Sequence, residues 1–437
     1  MKKLLSFIYI LSIFFSYAQT HMEIDTVNHK KRKALIETYE AKYELINKSL
    51  KKKHKGKLRV KLMVFYDRGQ KDFIKNIRKK RIIFDDRFQH YIDSLLQEIE
   101  KSNTVIKQEN IRLFIARHNA PNALNYGDGT IILNLGLFKF LESEDQLVSV
   151  ISHEIGHQLK DHVSKNMLNK ASLIVSSAKR KKALEIKKQK YHSYEKAFTE
   201  IKKIIYTEGK EHRKQEMEAD SIGYTVYNNT NFSKIEYINA LKILGKLDTL
   251  TPFTLSKDIY KTIFNLPEQV FKDEWLKMEK FSQYDYSKYK AKINKDSIRS
   301  HPEITERIDK LLLEFKELND STSVSLKLKS SVFSTLKEIA IQEDIANLHY
   351  TEKYGLSVYL TLKKLQKDPT NKYYLAWVGK NFEQIYQAKK KYQLNRHIDR
   401  LVPNDQDESY QQYLSFIWNL RLNEIKNIAN YYSTKTP

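Results

Sequence analysis

The sequence predicts an α+β fold that is mostly helical, with a small sheet in its first half and an all-α C-terminal domain. Short alternating or apolar runs typical of strands occur at Leu58–Phe65, Ile111–Ala116 and Thr130–Leu135. Between the first two, Phe88, Ile92, Leu95 and Ile99 recur at helical spacing. Beyond about residue 330 the apolar pattern is helical to the end of the chain.

The 437 residues allow one large domain or two of ordinary size. We predict a first domain over residues 19–325, with a basic helical insert at 165–214, and a helical C-terminal domain over residues 326–437. In the latter, two helical segments flank the turn Asp368–Asn371, at Tyr354–Leu365 and Tyr374–Tyr386. They resemble one tetratricopeptide-type hairpin, although the signature positions match poorly and no repeat is evident.

The first eighteen residues have the pattern of a secretory signal peptide. Lys2 and Lys3 precede an apolar run over Leu4–Phe15, which ends in Ser16-Tyr17-Ala18. The alternative is an uncleaved membrane anchor. We therefore expect an exported protein, in the periplasm or outside the cell, that is soluble once residues 1–18 are removed.

The formal net charge of +24 indicates attraction to polyanions. Because an exported protein does not meet nucleic acid, we expect no nucleic-acid partner and consider peripheral contact with an anionic membrane surface. A solvated face is the alternative interpretation of the lysine-rich segments. The chain has no cysteine, which excludes disulfides, thiol catalysis and cysteine-ligated zinc.

The pentapeptide His153-Glu154-Ile155-Gly156-His157 lies on a helix that should begin after Ser143, in a capping box of the form Ser-x-x-Gln. His153 and His157 are four residues apart and share one face, close enough to bind one cation. Imidazole suits zinc, and a catalytic zinc takes three protein ligands and keeps one position open. Glu154 is then the candidate general base. A surface helix that carries two histidines by chance is the alternative.

The third ligand must be His, Asp or Glu, since the chain has no cysteine. Glu216 and Asp220 have i, i+4 spacing on a helix predicted to begin near Arg213, so Glu216 can bind the metal while Asp220 accepts the N–H of a ligand histidine. Glu218 points about 200° away from Glu216 around the helix. An ordinary acidic helix surface is the alternative interpretation.

Four blocks together resemble the gluzincin metallopeptidase family that includes CAAX prenyl proteases, HtpX-like proteases and BepA-like periplasmic proteases. They cover about half of the chain, from roughly Asp86 to Leu312. The blocks are Pro121–Ala123 with Gly127–Ile131, Ser143–His157 with His162, Glu216–Gly223, and Ser300–Pro302 with Arg307 and Ile308.

The resemblance implies a zincin-like metalloprotease domain with one zinc ion bound by His153, His157 and Glu216, and with Glu154 as the base. It further implies that His301 approaches the site from a downstream loop, as an oxyanion-facing or merely capping residue, and that Arg307 lies near it with Asp220. The implied edge strand for substrate is Gly129, Thr130, Ile131, Ile132 and Leu133. His162 is interpreted as a supporting or core residue in preference to a fourth ligand.

The predicted function is therefore that of a zinc-dependent metalloendopeptidase in which Glu154 deprotonates a zinc-activated water. An edge strand accepts only extended polypeptide, so we expect unfolded or misassembled envelope proteins as substrates, in protein quality control. The CAAX and HtpX-like members of the family are multi-span membrane proteins, but no segment here is long enough to span a membrane, so prenylated substrates are not expected. The alternative is a catalytically weak, chaperone-like or binding protein of the cell envelope. The partners of its C-terminal helices are not evident from the sequence.

Overall fold

A computed structural model describes residue 24 and residues 27–189, 191–246, 253–278, 303–319, 330–402 and 406–433. Helices dominate these residues and one small sheet accompanies them, so the prediction of a mostly helical α+β fold is confirmed. The signal-peptide prediction and His301, with the rest of Ser300–Pro302, lie outside the described residues. None of the described helices combines the length and the apolarity needed to cross a bilayer.

The chain begins with two long helices, α1 (His29–Lys53) and α2 (Gly56–Arg78), which pack against each other. The strand predicted at Leu58–Phe65 is therefore wrong. Leu58, Leu62 and Phe65 also have helical spacing, and Leu62 is buried while the alternating position Val60 is 61% exposed. The helical face, and not the alternation, determines what is buried.

Four strands form one mixed sheet: β1 (Ile82–Ile83), β2 (Arg112–Ala116), β3 (Ala123–Asn125) and β4 (Thr130–Asn134). Their order is β1-β2-β4-β3, with β2 parallel to β4 and the other pairs antiparallel. The predicted strands at Ile111–Ala116 and Thr130–Leu135 are confirmed. β3 was not predicted, because it lies in a segment rich in turn residues.

The order of the strands corrects the predicted substrate strand. Gly129, Thr130, Ile131, Ile132 and Leu133 belong to or border β4, which is paired on both sides. Its main-chain groups are therefore already used in the sheet. The edge on this side is β3, which is only three residues long and pairs with β4 from Ala123↔Leu133 to Asn125↔Ile131.

One helix, α3 (Asp86–Ser102), lies between β1 and β2, and the helices that carry the site residues come after β4. Glu216 lies on a helix that begins at Ser193, twenty residues earlier than the predicted start near Arg213, because the lysine-rich helical stretch before it is continuous with it. The helices are α3 (Asp86–Ser102), α4 (Leu135–Phe140), α5 (Glu144–Leu159), α6 (His162–Val175), α7 (Ser177–Lys188), α8 (Ser193–Asn228) and α9 (Ile235–Lys246).

The remaining described elements are helical, as predicted for the C-terminal part. The α-helices among them are α10 (Lys257–Phe264), α11 (Ile304–Glu314), α12 (Ser331–Gln342), α13 (Asp344–Tyr350), α14 (Tyr354–Leu365), α15 (Lys372–Lys390), α16 (Glu408–Asn419) and α17 (Leu422–Ser433). The two helices predicted around the turn Asp368–Asn371 are α14 and α15.

The two largest of four hydrophobic clusters among the described residues hold most of these elements together. The first joins α3, the sheet, α5, α8 and α9, and it includes Phe333 and Leu336 of α12. The second joins α14–α17 with α10 and with Trp275. Apolar contacts therefore cross the predicted boundary at residues 325/326 in both directions, and the division into two domains stays a prediction.

Candidate metal centre

The site is built where α5 crosses α8 at very short distance. A Cβ added at Gly156 would lie 2.5 Å from the carbonyl oxygen of Ala219, and one added at Gly223 would lie 2.8 Å from the Cα of His153. Any larger side chain at these glycines would separate the two helices. The small residues therefore bring the His153–His157 face of α5 against the Glu216–Asp220 face of α8.

Three donor atoms converge at this crossing. His153 Nε2 lies 3.1 Å from His157 Nε2 and 3.6 Å from Glu216 Oε2, and His157 Nε2 lies 3.4 Å from Glu216 Oε1. Ligands arranged tetrahedrally about 2.0–2.2 Å from one ion would be about 3.3–3.6 Å apart. One donor atom from each of the three residues lies within 4.8 Å of the other two, so the group could hold a single metal ion.

A buried carboxylate orients the first histidine. Asp220 Oδ1 lies 2.9 Å from His153 Nδ1, while Arg307 donates to both oxygens of Asp220 at 2.7 and 2.6 Å. Burial opposes ionisation of Asp220, yet Arg307 and His153 lower its pKa to about 2. The carboxylate is thus charged at neutral pH and holds the proton of His153 on Nδ1, which leaves Nε2 to face the other donors.

A second chain of side chains orients the other histidine. His157 Nδ1 lies 2.9 Å from His162 Nδ1, and His162 Nε2 lies 3.1 Å from Glu218 Oε2. Burial lowers the pKa of His162, so at neutral pH its ring carries one proton. If His162 Nε2–H donates to Glu218, then His162 Nδ1 accepts from His157 Nδ1–H. The lone pair of His157 Nε2 then faces the site.

A cavity of about 330 Å³ opens beside the three donors. Glu154 lines it, together with Tyr237 and the segment Pro121–Asn125 that contains β3. Asn125 fastens this strand to α5, because its Nδ2 donates to the main-chain oxygen of Glu154 at 2.9 Å. The edge strand and the candidate base therefore share one wall of the cleft.

The free edge of β3 faces away from β4. Asn134 N–H donates to Asn122 C=O and Tyr126 N–H donates to Thr130 C=O, so residues 122, 124 and 126 carry the bonds toward β4. Ala123 and Asn125 then direct their main-chain groups to the other side. Ala123 N–H is covered by Asn122 Oδ1 at 2.9 Å, which leaves Ala123 C=O and Asn125 N–H at the edge.

Comparison with known families agrees with this geometry. The family description "Peptidase family M48" matches residues 86–314, which is more than half of the chain and includes all of the residues at the α5–α8 crossing. This chain belongs to peptidase family M48. It is thus a member of a metallopeptidase family, with a donor cluster able to hold the metal.

Individual relatives of this M48 peptidase are distant. A putative beta-barrel assembly-enhancing protease of Vibrio cholerae is 32% identical over 90 residues, which are 21% of this chain and 18% of the relative. The beta-barrel assembly-enhancing protease of Escherichia coli is 30% identical over 87 residues, 20% of this chain and 18% of the relative. That of Yersinia pestis is 24% identical over 86 residues, with the same shares. The similarity thus spans less than a fifth of each relative.

The structure of this M48 peptidase brings most of the predicted site residues together. His153, His157 and Glu216 meet, Asp220 and Arg307 support them, and His301 lies outside the described residues. Sequence analysis missed the contacts of Asn125 and Glu218, which join residues far apart in the chain. The spacing of His162 from His157 was the only signal for the second of these contacts.

Proposed function

We propose that this chain is a zinc-dependent endopeptidase whose metal is bound by His153, His157 and Glu216. The observation that carries the proposal is the convergence of the two imidazole Nε2 atoms, 3.1 Å apart, with the Glu216 carboxylate, whose oxygens lie 3.4 and 3.6 Å from them, beside a cavity that Glu154 also lines. Zinc bound there would lower the pKa of a water molecule to about 7 and polarise a peptide carbonyl.

The protein's own residues supply the proton transfers and the orientation. Glu154 takes a proton from the attacking water onto its carboxylate and returns it to the nitrogen of the leaving amine. Asp220 and His162 keep the ligand rings in the correct tautomers while this occurs. We retain His301 as a candidate oxyanion donor. Replacement by Ala should then lower kcat by about 10²–10³-fold with little effect on KM.

Substrate binding is assigned to β3 in place of β4. An extended polypeptide can pair with Ala123 C=O and Asn125 N–H, and this would place its backbone along the cleft in front of Glu154. Pairing of this kind uses main-chain groups and so depends little on sequence, but it requires a segment that is not already folded. We therefore propose unfolded or misassembled polypeptides as substrates.

The envelope setting is a further part of this proposal. Its support is the apolar run behind Lys2 and Lys3, together with relatives whose names refer to β-barrel assembly. Mass spectrometry of the protein recovered from the envelope of its own host should give a chain that begins at residue 19. Recovery of the unprocessed chain from the cytoplasm would contradict the envelope assignment, but it would not contradict the proposed peptidase mechanism.

The chemistry is tested by cleavage of casein with zinc, with a chelator and with Glu154→Gln. We expect activity that is abolished by the chelator, restored by zinc and absent in Glu154→Gln. The exposed Glu142→Gln serves as the matched control and should remain active. Equal melting temperatures would show that both variants are folded. Cleavage by folded Glu154→Gln at the wild-type rate would contradict the assigned base.

A further inference from the structure

The hairpin formed by α7 and the first half of α8 stands apart from the core. No described residue from 172 to 208 is buried, although this segment is helical over most of its length. The lysine-rich helix α1 is different, because it buries Tyr39, Tyr43 and Leu50 against its neighbours. The lysines of α1 can therefore be explained as the solvated face of a helix whose apolar face is buried. The described residues of the hairpin form no such buried face, so solvation of its lysines leaves its apolar residues unexplained.

Those apolar residues form an exposed stripe. Tyr194, Phe198 and Ile201 follow one another at helical spacing on α8, and the rings of Tyr194 and Phe198 are stacked. Tyr194 is 73% exposed and Ile201 is 54% exposed. Tyr191, at the turn, and Leu184, on α7, are also exposed, at 71% and 58%.

The same hairpin is strongly basic. Residues 177–212 contain eleven Lys and Arg against five Glu and no Asp. One of the acids, Glu200, is already neutralised by Lys182 at 2.6 Å. Lysines on long apolar stems beside tyrosine and aliphatic side chains are typical of helices that lie in the interface of an anionic bilayer.

We infer that the α7–α8 hairpin binds the surface of an anionic lipid bilayer. Charge complementarity favours this partner over a second copy of the chain, whose hairpin would carry the same excess of positive charge. A nucleic acid would match the charge but would leave Leu184 and Ile201 in water, whereas a bilayer accepts both the charge and the aliphatic surface. The inference does not depend on the peptidase activity.

The attachment would have a geometric consequence. Because α8 is one continuous helix from Ser193 to Asn228, it joins the exposed stripe directly to Glu216. The 22 residues from Tyr194 to Glu216 correspond to about 33 Å of helix. Glu216 would therefore lie no more than about 33 Å from the point at which Tyr194 meets the lipid.

The test is co-sedimentation of the full chain with phosphatidylcholine vesicles, with and without phosphatidylglycerol. Two hairpin variants are needed. One removes apolar surface with Leu184→Ser, Tyr194→Ser and Ile201→Ser, and the other reverses charge with Lys179→Glu, Lys181→Glu, Lys187→Glu and Lys188→Glu. The matched control makes the same change of net charge at exposed positions around the α1–α2 turn, with Lys51→Glu, Lys52→Glu, Lys53→Glu and Lys57→Glu.

We expect wild type to bind only the vesicles that contain phosphatidylglycerol, and less at raised salt. Both hairpin variants should lower binding, the charge reversals at least about 10-fold, while the control stays near wild type. Circular dichroism and thermal melting establish that every variant is folded. Binding that persists in both hairpin variants, equal binding without phosphatidylglycerol, or equal losses in the control would overturn the inference. The inference would also be overturned if the chain bound a duplex DNA probe and did not sediment with either type of vesicle.

Discussion

At the scale of single residues, the two histidines proposed as metal ligands are oriented by different means. His153 is held by the charged carboxylate of Asp220, and the charge of this carboxylate is balanced by Arg307. His157 is held by a neutral ring, His162, which is itself anchored on Glu218. Both arrangements direct Nε2 to the same point, so the supporting residues should matter for metal affinity almost as much as the ligands.

His162→Phe tests the second arrangement. Phenylalanine keeps the ring in the buried space but cannot bond to His157, which is then free to rotate or to change tautomer. We expect the zinc affinity, measured by competition with a chromophoric chelator, to fall about 10–100-fold. An unchanged melting temperature of the metal-free protein would show that packing is intact. Wild-type zinc affinity in this folded variant would show that His162 does not orient His157.

Asp220→Asn tests the first arrangement through its pH dependence. The folded pKa of Asp220, about 2, lies below its ordinary value of 3.8, so its stabilisation is present above pH 3.8 and is lost as the pH falls toward 2. A pKa shift of this size stabilises the folded protein by about 2 kcal/mol at neutral pH, and about half of that stabilisation is lost by pH 3.

Urea unfolding of the metal-free proteins at pH 6 and pH 3 measures this difference. Wild type should have the larger free energy of unfolding at pH 6, and its difference from Asp220→Asn should become smaller at pH 3. A difference in the free energy of unfolding that is the same at both pH values would contradict the assigned ionisation of Asp220.

At this scale the sequence predicted what local geometry determines. Spacing of four residues on a continuous helix places His153 with His157, and Glu216 with Asp220, whatever the rest of the fold does. The bonds of Asn125 to α5 and of Glu218 to His162 connect separate elements. No spacing within the chain encodes these contacts, so they could not be predicted from it.

At the scale of elements, the crossing of α5 and α8 determines whether the ligands can meet. Gly223→Ala would place a methyl group 2.8 Å from the Cα of His153 and 2.7 Å from the hydroxyl of Tyr237. We expect the helices to move apart, and the protein to lose roughly 1–3 kcal/mol of stability together with most of its zinc affinity.

Gly69→Ala is the matched control for this substitution, because Gly69 lies within α2 and has open space around its Cα. It should leave zinc affinity unchanged and stabilise the protein by about 0.5–1 kcal/mol. Stability is measured by urea unfolding and affinity by chelator competition. If Gly223→Ala bound zinc as tightly as Gly69→Ala, close packing would not be the feature that assembles the site.

The errors of prediction at this scale have specific physical causes. In Leu58–Phe65 the apolar residues satisfy both the strand period and the helix period, and only burial in α2 separates the two. The family resemblance placed β4 at the edge, and β3, which covers that edge, was not predicted because it is three residues long and looks like part of a turn. Short elements that exist through pairing with a neighbour have little signal of their own.

At the scale of the whole molecule, a buried ion pair joins the C-terminal helices to the cleft. Arg117, which follows β2, donates to Glu343 at 2.8 Å, and both side chains are 3% exposed. Asn119 donates to the main-chain oxygen of Asp344 at 2.7 Å. These contacts fasten the loop before β3, and therefore one wall of the cavity, to α12 and α13.

Arg117→Met should therefore destabilise the whole molecule. It leaves the Glu343 carboxylate buried opposite an apolar side chain, at a cost of about 3–5 kcal/mol in urea unfolding. Adding Glu343→Gln removes the charge that Arg117 balances and should recover part of that loss, which makes the double variant the control. Additive losses in the double variant would show that the two side chains are not coupled in this way.

The central claim is that three side chains from two helices form one metal centre. The most direct test is the zinc content of the purified chain, measured by mass spectrometry of the element, for wild type, Glu216→Ala and the exposed control Glu211→Ala. The account predicts one zinc ion per chain in wild type and in Glu211→Ala, and a loss of most of it in Glu216→Ala. Wild type without stoichiometric metal, or Glu216→Ala with a full zinc ion, would contradict it.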